Sequence, residues 1–195
     1  AKMEQLTEMV DAAKRHHRLS QFLDAPGLTE VTIVWDDPAT GLRCKARLDR
    51  LVQWQGWNVI FDLKTIPGYT APRPGQEMGT GGASKVRLQS QVGNYGYDMQ
   101  AAHYTDGCCV LAPLDRRMIW GFIEKKPPWA VRIAEPVAST IDEGRMKCKA
   151  AMATWAKCIE SDDFPAYGDD ILPVTLKRWH LMSDEELDSL EGDSL

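Results

Sequence analysis

Two apolar, strand-like runs that each carry an aspartate constrain the fold of this chain more than any other feature. The runs flank Gln55-Gly56, which has the composition of a tight turn, and together they predict an antiparallel hairpin. Pairing the runs in this way puts Asp49 and Asp62 on neighbouring strands with converging carboxylates. Side chains two residues apart on a strand share a face, so we expect Lys64 on the same side as Asp62.

Two carboxylates and a lysine on one face of a sheet are typical of a hydrolytic metal site. Carboxylate oxygens are hard ligands that suit Mg²⁺. The metal activates a water and neutralises charge on a phosphate, while the lysine orients the water or stabilises the pentavalent phosphorus. Asp49, Asp62 and Lys64 therefore predict metal-dependent hydrolysis. The alternative is that the aspartates are ordinary hairpin charges on an unrelated α/β protein.

The remaining patterns predict one α/β domain over residues 1–182 and an acidic tail over 183–195. Apolar periodicity and turn signals predict the following elements: helices over 3–23, 85–104 and 136–159, strands over 30–35, 108–114 and 118–124, and an irregular aromatic wrap over the core at 161–182. A stretch rich in Gly and Pro, residues 67–84, is long enough that we expect it to be functional or mobile.

Composition permits metal-dependent hydrolysis without requiring it. The 195 residues carry a formal net charge of −5, which argues mildly against nucleic-acid binding, but residues 183–193 contribute six acids and no base to that total. Five cysteines show neither disulfide-framework nor zinc spacing, which favours a reducing compartment. The sequence has no apolar run of bilayer length and no signal peptide, so we expect a soluble, intracellular protein.

Polar residues on the predicted helices extend the candidate site. Tyr97, Gln100 and Tyr104 share one helix face, which predicts either a groove lining or a face packed on the sheet. His16 and His17 stand on the first helix, and each is either a satisfied core residue or a metal ligand.

Basic residues lie in and just after the long loop. Arg73, Lys85 and Arg87 are either solvated charges or contacts to phosphate, because Arg and Lys dominate backbone contacts to nucleic acid.

The ordered set of motifs resembles the PD-(D/E)xK nuclease superfamily in its RecB-like branch. The closest resemblance is to the RecE-type (exonuclease VIII) phage and prophage 5′→3′ DNA exonucleases, with a further similarity to lambda exonuclease at Tyr97 and Gln100. The matching segments are Glu30 with 35–37, 40–51, 62–65, 97–104, 124–128, and the late Cys158, 164–167 and Trp179. Residue 1 lies close to the first motif helix, so we expect a compact or trimmed version of longer relatives.

This resemblance implies a restriction-endonuclease-like core, a mixed central β-sheet flanked by helices, with Mg²⁺ or Mn²⁺ as cofactor. Its implied roles are as follows: Asp49, Asp62, the Leu63 carbonyl and His16 as metal ligands, with His17 left open as the alternative histidine; Lys64 as the catalytic lysine; Gln100 and Tyr104 as residues that position the substrate strand, with Tyr97 beside them. Arg73, Lys85 and Arg87 are then the expected phosphate contacts.

The implied function is a metal-dependent exonuclease that degrades duplex DNA ends in phage-type recombination by resection and annealing. Partners implied by the resemblance are double-stranded DNA ends, further copies of the chain in a toroidal trimer or tetramer, and a single-strand annealing protein. The resemblance also implies no membrane partner and, as the compartment, the cytoplasm of a bacterial host. An endonuclease, a nuclease specific for single strands or flaps, and an inactive DNA-binding module stay open as alternatives.

Overall fold

The computed structural model of the protein describes residues 2–71 and 81–175. The helices and strands of this part of the chain are, in order, α1 (Lys2–Arg15), α2 (His17–Asp24), β1 (Gly27–Asp36), β2 (Arg43–Trp54), β3 (Trp57–Ile66), α3 (Lys85–Asn94), α4 (Tyr97–Leu111), β4 (Arg116–Glu124), β5 (Val131–Ala134) and α5 (Ala138–Ser161).

A five-stranded mixed sheet forms the centre of the fold, with the strands in the order β1-β2-β3-β4-β5. The first three strands are an antiparallel meander, β3 and β4 run parallel, and β5 returns antiparallel to β4. Parallel neighbours need a crossover connection, and α3 and α4 supply it here. This architecture confirms the predicted fold class, a mixed sheet flanked by helices.

Each face of the sheet packs against its own helices because apolar residues alternate along β3. Ile60 faces a cluster that includes Ala101 of α4, together with residues of β4. Its neighbour Phe61 faces the opposite cluster, where Leu19 and Phe22 of α2 are buried. A strand covered on both faces reads as a continuous apolar run, and that run is the signal by which the sequence predicts β3.

The predicted hairpin of β2 and β3 is confirmed, with Gln55 and Gly56 as its two-residue turn. Both turn residues have positive φ, 48° and 81°, as the turn type that matches the twist of a two-residue hairpin requires. The prediction of β1 is also confirmed, since the strand contains residues 30–35, and so is the long helix predicted over 136–159.

The helix predicted over residues 3–23 is wrong in one respect, because it breaks at His16. The His16 backbone leaves the helical region, with φ −76° and ψ 111°, and its ring Nδ1 accepts a hydrogen bond from the Leu19 amide at 3.1 Å. His16 is thus the N-cap of α2, a role usually taken by Ser, Thr, Asp or Asn.

Two further predictions along the crossover need correction. The helix predicted over 85–104 is two helices, because Gly96 adopts the left-handed conformation with φ 65° between α3 and α4. The strand predicted over 108–114 is instead the last turn of α4 and the segment after it, and the amide of Ala112 still bonds to the Cys108 carbonyl. Periodicity cannot distinguish such a short apolar run from a strand.

The chain divides into two units, residues 1–162 and 163–195. In the second unit the described residues form no helix or strand, and Tyr167 and Ile171 are almost fully exposed. The predicted aromatic wrap over the core stays a prediction. Trp179, the predicted domain boundary at residue 182 and the acidic tail lie outside the described residues. Among the described helices, none is both long enough and apolar enough to cross a membrane.

Candidate active site

The hairpin brings Asp49 and Asp62 together where the pairing of β2 with β3 ends. The last paired residues are Arg50 and Phe61, so the two aspartates are the next residues along their strands. The Asp49 carboxylate accepts a hydrogen bond from the Leu63 amide, with 2.8 Å between Oδ2 and the nitrogen, and its charge acts on Asp62. The structure therefore contains the predicted convergence of the two carboxylates.

A break in the regular strand pattern directs Asp49 to this point. Leu48 and Leu51 both pack in the apolar cluster beneath α4, although they are three residues apart. Strict alternation would place them on opposite faces, so β2 changes face between them, while its pairing with β1 keeps the same register on both sides of Asp49. Opposite Asp49 on β1, Glu30 has φ 54° and is skipped by the otherwise continuous pairing of β1 with β2.

Asp62 is the buried centre of the site, with 2% of its surface exposed. Lys64 Nζ lies 2.5 Å from its Oδ2, and Gln100 Nε2 donates to its Oδ1 at 3.2 Å. Burial raises the pKa of Asp62, the Lys64 ammonium opposes this rise, the charge of Asp49 adds to it, and the Gln100 amide opposes it again. A buried carboxylate in this state gains stability from any cation placed beside it.

Lys64 is held on two sides. Its ammonium contacts Asp62 and also lies over the ring of Tyr97, 4.9 Å from the ring centroid. Attraction between a cation and an aromatic face adds to the ion pair, and the lysine side chain is only 16% exposed. The ammonium is therefore preorganised at the carboxylates, on the strand face that the spacing of Asp62 and Lys64 predicts.

One face of α4 closes the site, as the spacing of Gln100 and Tyr104 predicts. Gln100 Nε2 donates to the Tyr104 hydroxyl at 3.1 Å as well as to Asp62. Burial raises the pKa of Tyr104, and the charges of the nearby aspartates raise it further against the Gln100 hydrogen bond. Burial, followed by the charge of Asp62, raises the pKa of Tyr97 in the same direction. Both phenols stay protonated at neutral pH, so they act as hydrogen-bonding groups.

Residues 1–172 match a known family, described as the PDDEXK-like domain of unknown function DUF3799. The chain belongs to this PDDEXK-like family. The family name describes an aspartate followed, further along the chain, by a second acidic residue and a lysine with one residue between them. Asp49, Asp62 and Lys64 follow this pattern. No curated protein matches the PDDEXK-like chain significantly.

Two solved structures are similar to this PDDEXK-like chain. A candidate exonuclease from Eubacterium rectale has a TM-score of 0.62 and 14% identity, and the match covers 89% of this chain and 63% of that one. The protein SSO0001 has a TM-score of 0.36 and 14% identity over 84% of this chain and 59% of its own. The PDDEXK-like chain thus spans about three fifths of the length of both proteins, and the first similarity shows a shared fold.

The residues of the PDDEXK-like site fit a divalent cation. Asp49 and Asp62 offer hard carboxylate oxygens, and the Asp62 carboxylate is buried with Lys64 Nζ 2.5 Å from its Oδ2 and the charge of Asp49 acting on it. Mg²⁺ is often held by one or two carboxylates, with water and substrate phosphate completing its shell. In the described part of the chain no group of three or more His, Cys, Asp or Glu could hold a metal, and Asp49 and Asp62 are the two carboxylates that the hairpin brings together. The Leu63 carbonyl as a further ligand stays a prediction.

His16 is not brought into a group with the two aspartates among the described residues. Its Nδ1 caps α2, and its ring lines a cavity of about 800 Å³ together with Arg18, Arg87 and Glu124. His16 as the third ligand therefore stays a prediction, and the N-cap hydrogen bond leaves its Nε2 as the nitrogen that could bind a metal. His17 is exposed and contacts Gln21.

The predicted basic contacts occupy different places. Arg87 lines the same cavity as His16, whereas Lys85 lines a second cavity, of about 650 Å³, beside α3 and β5. Arg73 lies outside the described residues. Their separation follows from the helix that they share, because a helix turns about 100° per residue and side chains two residues apart point in nearly opposite directions.

Glu124 is a buried residue whose role the sequence does not predict. Its carboxylate accepts hydrogen bonds from the amides of Tyr69, at 3.3 Å, and Ala83, at 2.9 Å. The two amides belong to the two ends of the long loop, so Glu124 fixes both ends at the edge of the site. Glu124 belongs to one of the segments that carry the family resemblance. Its hydrogen-bond partners, the amides of Tyr69 and Ala83, become evident only in the structure.

Proposed function

We propose that the protein is a divalent-metal-dependent nuclease that hydrolyses DNA from duplex ends. The observation that carries this proposal is the contact of the Lys64 ammonium, at 2.5 Å, with a buried aspartate that lies beside a second aspartate. A lysine in a purely structural ion pair would not need a second carboxylate or a polar helix face beside it. Membership of a PDDEXK-like family and the shared fold with a candidate exonuclease support the same reaction class.

The residues divide the chemistry of phosphodiester hydrolysis among them. When bound by Asp49 and Asp62, Mg²⁺ or Mn²⁺ supplies charge neutralisation at the phosphate and a water of lowered pKa. Lys64 donates a hydrogen bond to the attacking water or to a phosphate oxygen, where negative charge develops. The water oxygen forms a bond to phosphorus and loses a proton to solvent, while the bond to the leaving sugar oxygen breaks and that oxygen takes up a proton from solvent. Gln100 keeps the Asp62 carboxylate oriented through its hydrogen bond to Oδ1.

By resemblance, the proposal extends to 5′→3′ polarity, a ring of three or four copies, an annealing protein that receives the exposed strand, and a bacterial cytoplasm as the compartment. A RecE-type recombination role follows from the same resemblance. Light scattering of the purified chain tests the ring, and a monomer at micromolar concentration would contradict it.

Digestion of end-labelled DNA tests the activity itself. Linear duplex labelled at the 5′ or the 3′ end, beside a covalently closed circle, is incubated with Mg²⁺, with Mn²⁺ or with a chelator. The expected result is metal-dependent release of the 5′ label as mononucleotides with the circle intact. Cutting of the circle would replace the exonuclease with an endonuclease, and preference for a flap or a single strand would change the substrate.

Matched lysine variants assign the activity to this site. Lys64→Ala should abolish hydrolysis, whereas Lys45→Ala, which removes an exposed lysine of β2 in the same sheet, should retain it. Absence of cleavage by the unaltered protein in both metals would overturn the proposal in favour of an inactive DNA-binding module.

A further inference from the structure

Tyr95 presents an exposed aromatic ring beside the candidate active site. The residue is 64% exposed, and its ring stacks on that of Tyr97 with 5.8 Å between centroids and 22° between planes. One face of the Tyr95 ring is thus supported by another aromatic ring, while most of its surface is open to solvent. Large exposed aromatic rings supported in this way are well suited to stack on a planar ligand.

The backbone fixes Tyr95 at a corner between two helices. The residue is the C-cap of α3, and its amide donates to the Gln91 carbonyl at 3.0 Å. Gly96 follows in the left-handed conformation, with φ 65°, and sends the chain directly into α4. An added Cβ at Gly96 would meet no atom closer than 3.9 Å, so glycine is needed there for its conformation and not for space.

Two contacts connect this corner to the reacting groups. The Lys64 ammonium lies 4.9 Å from the centroid of the Tyr97 ring, and Tyr97 is in turn the ring on which Tyr95 stacks. Tyr97 is anchored on its inner side by Trp120 and Phe122, with centroids 6.4 and 6.2 Å away. Tyr95 is therefore the outer, solvent-facing member of an aromatic row that begins at the lysine.

We propose that Tyr95 is a stacking platform for an unpaired base of the nucleotide next to the scissile phosphate. The inference rests on the proposed nuclease function and names its substrate class: a DNA end whose terminal base is unpaired when it reaches the site. Stacking needs an accessible π-face, and a base inside a duplex has both faces covered by its neighbours. Tyr95 lies two contacts beyond the lysine, 4.9 Å from the ammonium to the Tyr97 centroid and then 5.8 Å between the ring centroids, which is within the span of a few nucleotides at about 3.4 Å per step.

A different role for Tyr95 would be to stabilise the corner between α3 and α4. In that case its removal would weaken every substrate equally, whether or not a base is present. Comparison of a normal nucleotide with an abasic one separates the two roles, because only a stacking role depends on the base. The ring, and not the hydroxyl, carries the stacking, so Tyr95→Phe keeps the function and Tyr95→Ala loses it.

The experiment measures kcat/KM in Mg²⁺, and DNA affinity by fluorescence anisotropy in Ca²⁺, for duplexes that are intact or carry one abasic site at each of the first three positions from the end. Stacking of one base is worth a factor of about 5 to 150. We expect Tyr95→Ala to lose this factor on intact DNA and nothing on DNA that is abasic at one of these positions. Tyr95→Phe should behave as the unaltered protein does.

Trp57→Ala is the matched control, because Trp57 is an exposed aromatic residue at the opposite end of β3, where it lies under Arg117. It should show no difference that depends on the base. An equal loss for Tyr95→Ala on intact and abasic DNA, or no loss on either, would overturn the stacking role. Cleavage by the unaltered protein reports separately on the proposed function, and the anisotropy measurement decides the Tyr95 role even if no DNA is cut.

Discussion

The Asp49 carboxylate accepts a hydrogen bond from the Leu63 amide at 2.8 Å, at the point where the backbone pairing of β2 with β3 ends. A side chain thus accepts this hydrogen bond in place of a backbone carbonyl. This hydrogen bond orients Asp49 toward Asp62 and leaves its charge available for a cation. The same carboxylate therefore has a structural role and a chemical role, and these roles can be separated by substitution.

Asp49→Asn should separate them, because the amide oxygen of Asn still accepts from Leu63 while the negative charge is lost. We expect the free energy of unfolding to change little and hydrolysis to fall at least about a hundredfold, since bound metal contributes several kcal/mol to catalysis. Asp49→Ala should also lose about 0.5–1 kcal/mol of stability. Calorimetric titration with Mn²⁺, urea unfolding and DNA cleavage provide the measurements. Full cleavage by Asp49→Asn would remove Asp49 from the metal site.

Gln100→Ala should lower both the free energy of unfolding and kcat by more than Tyr104→Phe does. The Gln100 amide bonds to both Asp62 and Tyr104, so its loss leaves the buried carboxylate without its helix-borne donor. The phenylalanine variant removes one acceptor and leaves the bond from Gln100 to Asp62 in place. Removal of the single neutral hydrogen bond should cost about 1 kcal/mol of stability, and the glutamine variant should cost more. Urea unfolding and kcat at saturating DNA measure both effects, and the reverse order would contradict the geometry.

Low pH should weaken the packing of α4 against α5, because it protonates the Asp98 carboxylate. This residue is 5% exposed, and Lys147 Nζ lies 2.6 Å from its carboxylate. Burial opposes ionisation of Asp98, but hydrogen bonds from Lys147 and the Met99 amide outweigh it and hold the pKa of Asp98 below its usual value. The ionised form therefore stabilises the fold above the unfolded pKa, about 3.9, and this stability is lost as the pH falls through the lower, folded value.

Asp98→Asn tests this linkage. It should lower the free energy of unfolding at pH 7 by about 1–2 kcal/mol and flatten the decline of stability below pH 4. Urea unfolding between pH 3 and pH 7 provides the comparison. Asp115→Asn, at an exposed aspartate in the connection before β4, is the control and should retain the slope. If the free energy of unfolding of Asp98→Asn declined with falling pH as steeply as that of the unaltered protein, Asp98 would not be the group responsible for the acid sensitivity.

Glu30→Gly should stabilise the protein. Glu30 has φ 54° within β1, and a side chain in this left-handed region costs about 1–2 kcal/mol. Its ion pair with Arg47, at 2.6 Å, is largely exposed and contributes little. Allowing for the backbone entropy of glycine, we expect a net gain of about 0.5–1 kcal/mol. Glu30→Val should instead lose stability, since a β-branched residue disfavours positive φ. A lower free energy of unfolding in urea for Glu30→Gly than for the unaltered protein would show that the backbone at Glu30 is not strained.

The sequence predicts the hairpin because its signals are local. Apolar runs that suit buried strands flank a turn at Gln55-Gly56, and the strands that follow from them place Asp62 and Lys64 on one face. The helix break at His16 could not be predicted in the same way. Histidine is an uncommon N-cap, and the apolar periodicity continues through it because both helices cover the same face of the sheet.

The candidate site was predictable to the extent that it follows from strand and helix periodicity. Gln100 and Tyr104 meet as an i, i+4 pair, which needs no tertiary information. The distortion at Glu30 and the change of face in β2 depend on how three strands pair, and no local signal encodes them. The same holds for Glu124, whose partners lie 41 and 55 residues away in the chain.

Glu124 ties the amides of Tyr69 and Ala83 to one carboxylate, and this arrangement affects how such a domain can evolve. With both ends held by the sheet, the stretch between them can change in length and sequence without moving the catalytic carboxylates. The entropic cost of closing a loop grows only slowly with its length, so insertions there are inexpensive. Lineages could thus acquire new contacts at this edge of the sheet by exchanging a single segment, while the residues of the hairpin are inherited unchanged.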